Sequence, residues 1–161
     1  MGALTYVYIP SRESEDLVNA SIKEKINQVN TEQLRFGYSE LTGCTEQDIV
    51  HFSAWVKELY PEASLLQYID LMRIANGLNH NGLYVYNIKE SDEDSIYYMN
   101  EVWQDIEDGK YLFFGTNDIS FFAMELSTGV FCILDLPSGS FEEAFASFDE
   151  MIDEALRIAL S

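Results

Sequence analysis

The chain's stock of groups suited to proton transfer near neutral pH is small: two histidines, His51 and His80, in 161 residues. Acyl transfer needs a serine or cysteine beside a positioned base, and no G-x-S-x-G elbow occurs to carry such a serine. His51 directly precedes Phe52 on an amphipathic stretch, and His80 sits in the turn formers Asn79-His80-Asn81-Gly82. Both fit surface or structural histidines better than catalytic ones. Cys44, beside Gly43 in a connection, and Cys132, inside an apolar run, make neither a CxxC pair nor a disulfide framework. H-E-x-x-H and paired-cysteine spacings are absent, which argues against zinc. Asp92-Glu93-Asp94 begins like a calcium loop, but Ile96 stands where that loop's fifth position needs a ligand and Tyr97 replaces its glycine. Gly77 and Gly82 lack the spacing of a GxGxxG or P-loop nucleotide site. The expectation is a chain without catalysis, metal or cofactor.

Charge offers a different chemistry. Glu90, Asp92, Glu93, Asp94, Glu101, Asp105, Glu107 and Asp108 crowd residues 90–108, with Lys89 the one cation set against them. A solvated face that keeps a protein soluble has this composition. So does a surface that engages the Lys and Arg with which a nuclease grips phosphate, imitating the charge of a nucleic-acid backbone. Tyr97, Tyr98 and Trp103 lie among the carboxylates, and aromatic anchors ringed by charge are typical of interface hot spots. Trp103 completes an apolar helical stripe and is assigned to the core; Tyr97 and Tyr98 fit core and anchor about equally. The expected partner-binding set is therefore Glu90, Asp92, Glu93, Asp94, Tyr97, Tyr98, Glu101, Asp105, Glu107 and Asp108.

The elements that must position this segment follow from periodicity. Residues 15–30 place Val18, Ile22, Ile26 and Val29 at helical spacing, and residues 31–43 form a connection ending in Gly43. Ile49, Phe52, Val56 and Leu59 predict a helix over 45–60, capped near Thr45 and stopped by Pro61. Leu65, Ile69 and Met72 predict another from Ser64 to the Asn76-Gly77 pair. An Asn-Gly turn at 81–82 leads into a strand over 83–86. Tyr97, Tyr98, Val102, Trp103 and Ile106 predict a helix over 96–106. Three strand-length apolar runs at 111–114, 119–126 and 130–134, separated by short turn-forming links, predict an antiparallel meander covered by helices. Two S/T-x-x-E capping signals start at Ser140 and Ser147; the second leads directly into Phe148, Ile152, Ala155, Leu156 and Ala159 and is the favoured start.

The whole chain bounds these expectations. With 28 acidic and 9 basic residues the formal net charge is −19, yet 47% of residues are hydrophobic, too apolar for a disordered acidic tail. Such a field repels nucleic acid and anionic membranes and speeds encounter with basic proteins, so a basic protein is the expected partner. Thr5-Tyr6-Val7-Tyr8-Ile9, ended by Pro10, suggests an N-terminal strand and lacks the basic start and apolar core of a signal peptide. No apolar run is long enough to span a bilayer, and the cysteine usage suits a reducing compartment, so a cytoplasmic location is expected.

The order of these signals resembles the SUKH superfamily, and within it the YrhA-like branch. The resemblance is carried by "NGLNHNGLYVYN" at 76–87, "NEVW" at 100–103, "YLFFGTNDISFFAMEL" at 111–126, "GVFCILDLPSG" at 129–139 and "SFDEMIDEAL" at 147–156. It covers roughly residues 44–159 and rests on the ordered set, most of all the NG...NG doublet and the G-x-x-D-I-S-x-F block. Tyr60 before Pro61 departs from the leucine more usual there, and residues 1–43 have no clear counterpart. What the resemblance implies is an α+β fold, a single SUKH-like domain over 1–161 with an antiparallel or mixed sheet flanked by helices, and partner binding without catalysis. Many bacterial members resemble immunity proteins that neutralise cognate toxins, often nucleases, of polymorphic or contact-dependent systems. Fungal members resemble regulators of cell-wall synthesis, so a regulatory or scaffolding module is the alternative.

Overall fold

The computed structural model describes residues 18–61 and 65–161. In chain order come helices α1 (Ala20–Arg35), α2 (Glu46–Leu59) and α3 (Leu66–Ile74), strands β1 (Leu78–His80) and β2 (Leu83–Val85), helix α4 (Ile96–Val102) and a 3-10 turn (Ile106–Gly109). Strands β3 (Tyr111–Thr116), β4 (Ser120–Glu125), β5 (Phe131–Asp135) and β6 (Phe141–Phe145) follow, and helix α5 (Phe148–Leu160) ends the chain. The strands form one antiparallel sheet whose spatial order is their chain order, β1 to β6. The class is α+β. The strand expected over 5–9, positions 15–17 of the first expected helix and Ser64 lie outside the described residues.

The meander at 111–136 is the centre of the sheet, as its apolar runs predict. Five consecutive residues of β3 and of β4 are buried, so both faces of the sheet are covered. On one face Phe114 meets Tyr68 of α3 and Phe148 of α5 at ring-centre distances of 5.1 and 5.3 Å. On the other, Phe113 and Phe121 lie 5.0 Å apart and Trp103 caps Phe121 edge-on at 5.1 Å. Offset and edge-on pairs of this kind add to the area they bury. A bulge between Phe113 and Gly115 shifts the β3–β4 register, and a Cβ at Gly115 would run into the Tyr84 carbonyl oxygen, so the residue's bareness lets β2 close on β3.

The strand expected over 83–86 is the second arm of a hairpin. Asn81 and Gly82 have φ of 50° and 84°, the paired positive values that a two-residue hairpin link of this type requires. Asn79 and His80, expected in a turn, belong to β1 instead. A three-residue strand with a buried, exposed, buried pattern leaves too little alternation to detect.

The helices begin where their caps dictate. Asn19 accepts from the Ser21 and Ile22 amides, and α1 buries Ile22, Ile26 and Val29 but runs on to Arg35, beyond the expected end at 30. Thr45 and Asp48 form a reciprocal capping box at the start of α2, with both bonds 3.0 Å long. α2 buries Ile49, Phe52 and Val56, whereas Leu59, placed on its inner face from spacing, is exposed. Ser147 caps α5, which buries the whole expected stripe together with Met151. The earlier signal at Ser140 starts no helix: Phe141–Phe145 is β6, held by pairing with β5, a non-local interaction that a local capping pattern cannot report.

Candidate functional site

The acidic segment is built on a pinned loop and a short helix. Asn87 closes the loop's neck, its amide donating to the Asp94 carbonyl (3.1 Å) and its carbonyl accepting from the Ile96 amide (2.8 Å). Inside the loop Asp92 Oδ1 accepts from the Asp94 amide at 2.8 Å, an Asx turn that occupies one carboxylate locally. Ser95, itself buried, accepts from the Tyr98 amide and starts α4. Glu90, Glu93 and Asp94 are thus left exposed around a rigid neck, with Asp92 half-buried.

α4 turns Ile96, Met99, Asn100 and Trp103 inward, the i, i+3, i+4, i+7 face. This corrects the expected stripe, since Tyr98 and Val102 are 50% and 47% exposed. Asn100 is the residue that the apolar pattern overlooks. Its amide nitrogen donates to the Ile96 and Phe113 carbonyls at 2.8 and 2.9 Å, and its Oδ1 accepts from the Phe113 amide at 2.8 Å. The side chain thereby serves as a strand neighbour to β3 where β2 has ended. Trp103 donates from Nε1 to the Tyr86 hydroxyl at 2.8 Å, as befits its assignment to the core. Burial pushes the Tyr86 phenol up to about 12, against the opposing pull of that hydrogen bond.

The two tyrosines divide. Tyr97 is half-buried, its ring 5.0 Å from His51 and 5.1 Å from Trp55, and its hydroxyl donates to the Ile88 carbonyl at 3.3 Å. Burial raises its phenol well above the usual range, and the carboxylates of Asp48 and Glu90 add to the effect. Tyr97 therefore joins α4 to α2, while Tyr98 presents itself to solvent with Glu101 and Val102.

The helix expected to reach 106 stops at Val102 because Trp103 turns into the core and its carbonyl accepts from Ile106, three residues on. Glu107 and Asp108 follow with left-handed φ of 53° and 54° and, like Asp105, are exposed. The carboxylates consequently form two groups at either end of α4, a helix of seven residues and thus about 10 Å long. The 90–94 group adjoins α2, where Glu90 Oε2 lies 3.7 Å from His51 Nε2. The 105–108 group adjoins the β5–β6 turn, where Gly139 packs against Ile106 and Glu107. Among the described residues the segment has one side-chain ion pair with a lysine, Glu107 with Lys110 at 3.8 Å, and one carboxylate–imidazole contact, Glu90 with His51.

Other groups with chemical potential are held structurally. His80, expected in a turn, is buried with Nε2 2.8 Å from Glu32 Oε1, a partner 48 residues away that no spacing signals. Cys132 is buried, and burial, with Glu125 nearby, pushes its thiol up to about 12. Cys44 is half-buried, its thiol raised to about 11 by burial and by Asp48. Neither is an activated thiolate. A hollow of about 250 Å³ beside the β1–β2 turn is walled by Asn81, Asp118, Ile119 and Ile158 among others, none of them a sequence candidate. Among the described residues no three His, Cys, Asp or Glu side chains gather as metal ligands would, and no helix is long and apolar enough to cross a membrane.

What the fold and this geometry define is an α+β protein carrying a carboxylate-rich flank with an outward tyrosine between its two acidic groups. No protein-family model matches the chain, and no curated protein matches it significantly.

Proposed function

We propose that this protein binds a basic protein partner through the flank at residues 90–108, and that it acts as an immunity protein neutralising a cognate toxin. The observation that carries the reading is the exposure of Glu90, Glu93, Asp94, Glu101, Asp105, Glu107 and Asp108 around the outward face of Tyr98 and Val102, a segment whose carboxylates, among the described residues, pair only with Lys110 and the His51 imidazole, both loosely. Carboxylates left without cations of their own are available to those of another protein. Inhibition follows by occlusion: a nuclease whose Lys and Arg are engaged by carboxylates has none left for phosphate. The resemblance to SUKH immunity proteins supports the toxin, and the net charge of −19 supports a basic partner over nucleic acid or an anionic membrane. The setting proposed is the cytoplasm.

The test is affinity capture from the source cell together with the product of the neighbouring gene, then assay of the captured partner. A toxin domain silenced at one-to-one stoichiometry supports the reading. Capture of a basic partner that has no toxic activity would move the assignment to a regulatory or scaffolding module.

A further inference from the structure

At one margin of the sheet β6 pairs with β5 and, among the described residues, with no strand on its other side. Alternate N–H and C=O groups of an edge strand point away from the sheet and are a template for another strand. β6 is unlike the rest of this sheet in that Phe141, Glu142, Glu143 and Ala144 are all exposed, Phe141 by 58%. Its pairs with β5 run Ile133 to Glu143 and Leu134 to Phe141, which leaves Glu142 at a bulge and puts the two carboxylates at the strand's middle.

That composition selects the occupant. Antiparallel pairing of β6 with its own copy, centred on Glu143, would set Glu143 against Glu143 between two molecules of charge −19, and like charges directly opposed destabilise. An incoming strand with cations at its two central positions and branched or aromatic residues outside them would instead meet Glu142, Glu143 and Phe141 in kind. The edge is also continuous with the acidic flank, because Gly139, just before β6, packs on Ile106 and Glu107.

We infer that β6 is a docking edge for an extended, basic segment of a protein partner, which adds to the sheet as a seventh strand. The inference rests on the reading of the partner as a basic protein and specifies how part of it is held. The 105–108 carboxylates then extend the same cation-binding surface beyond the strand.

The probe is the capped octapeptide Val-Thr-Val-Lys-Lys-Val-Thr-Val, with two controls N-methylated on alternate residues, one set odd and one set even. Binding to the full chain is followed by amide chemical shifts and hydrogen exchange. Strand addition predicts slowed exchange within β6. It predicts loss of affinity of about tenfold or more for one methylated control but not the other, since only one edge of the peptide faces β6. Glu142→Lys with Glu143→Lys should weaken binding by a similar factor, whereas Glu24→Lys with Glu58→Lys, exposed carboxylates outside both acidic regions, should change it by less than about threefold in 0.15 M salt. Equal loss for both controls, or a footprint on 90–108 without β6, overturns strand addition while leaving the basic-partner reading intact. A salt-resistant homodimer joined through β6 overturns it too. Failure of the captured partner to depend on either acidic region would instead remove the reading beneath it.

Discussion

Asn100 shows how a single polar side chain can close a gap in a sheet. Three hydrogen bonds link it to Phe113 and Ile96, so Asn100→Ala leaves an amide and a carbonyl of β3 unpaired at a partly buried site. The expected cost is about 1–3 kcal/mol, read as a lower urea midpoint. Asn100→Asp should fail to restore it, because a carboxylate cannot donate to the Phe113 carbonyl; stability within about 0.5 kcal/mol of the parent would contradict this role. Asp149 makes a prediction about pH. Burial, then the neighbouring Asp70 and Asp153, raises its carboxyl to about 6. Since an unfolded aspartate titrates near 4, the folded state holds the extra proton between about pH 4 and 6, and stability from this group falls as pH rises through that window. The melting temperature of Asp149→Asn relative to the parent should therefore climb from pH 4 to pH 7; a flat difference would show the carboxyl to be unperturbed, and a falling one would show it lowered, either of which contradicts the burial argument. Thiol labelling of the native protein should modify half-buried Cys44 before buried Cys132, and the reverse order would contradict the packing of β5.

At the scale of elements, what was legible in the sequence is what local periodicity determines. The meander, the cap of α2 near Thr45 and the start of α5 at Ser147 all announce themselves within a few residues. β6 did not, because a strand with one exposed Phe and two Glu has no apolar alternation and exists through its pairing with β5. The inner face of α4 was misread for a related reason: Tyr98 and Val102 are apolar enough to seem buried, while Asn100 is polar and yet faces the sheet. Tyr97 was equally open to core and surface from its type alone, and only its approach to His51, Phe52 and Trp55 of α2 decides. Because β3, β4 and β5 are buried at the centre of the sheet whereas β6 is an exposed edge, amides of β4 should exchange slowest and those of β6 among the fastest in strands. Fast exchange across β4 would contradict the architecture.

For the molecule as a whole, the composition indicated a folded acidic protein, and the fold distributes part of that charge along one flank around α4. The carboxylates at 90–94 and 105–108 frame Tyr98 at the two ends of a single short helix. Rim charge of this kind acts on the rate of encounter, whereas a desolvated aromatic anchor acts on dissociation; truncating Tyr98 to Ala should speed release of the captured partner at a cost of about 2 kcal/mol or more, and an unchanged dissociation rate would contradict its role as anchor. The direct test of partner binding by this flank is the association rate of the captured basic partner with the Asp92→Lys, Glu93→Lys, Asp94→Lys protein across a range of salt concentrations. The account predicts slower association than with the parent and a flatter dependence on salt. An association rate unchanged at every salt concentration, in a variant shown to be folded, would contradict it and leave the 90–94 loop a solvated face.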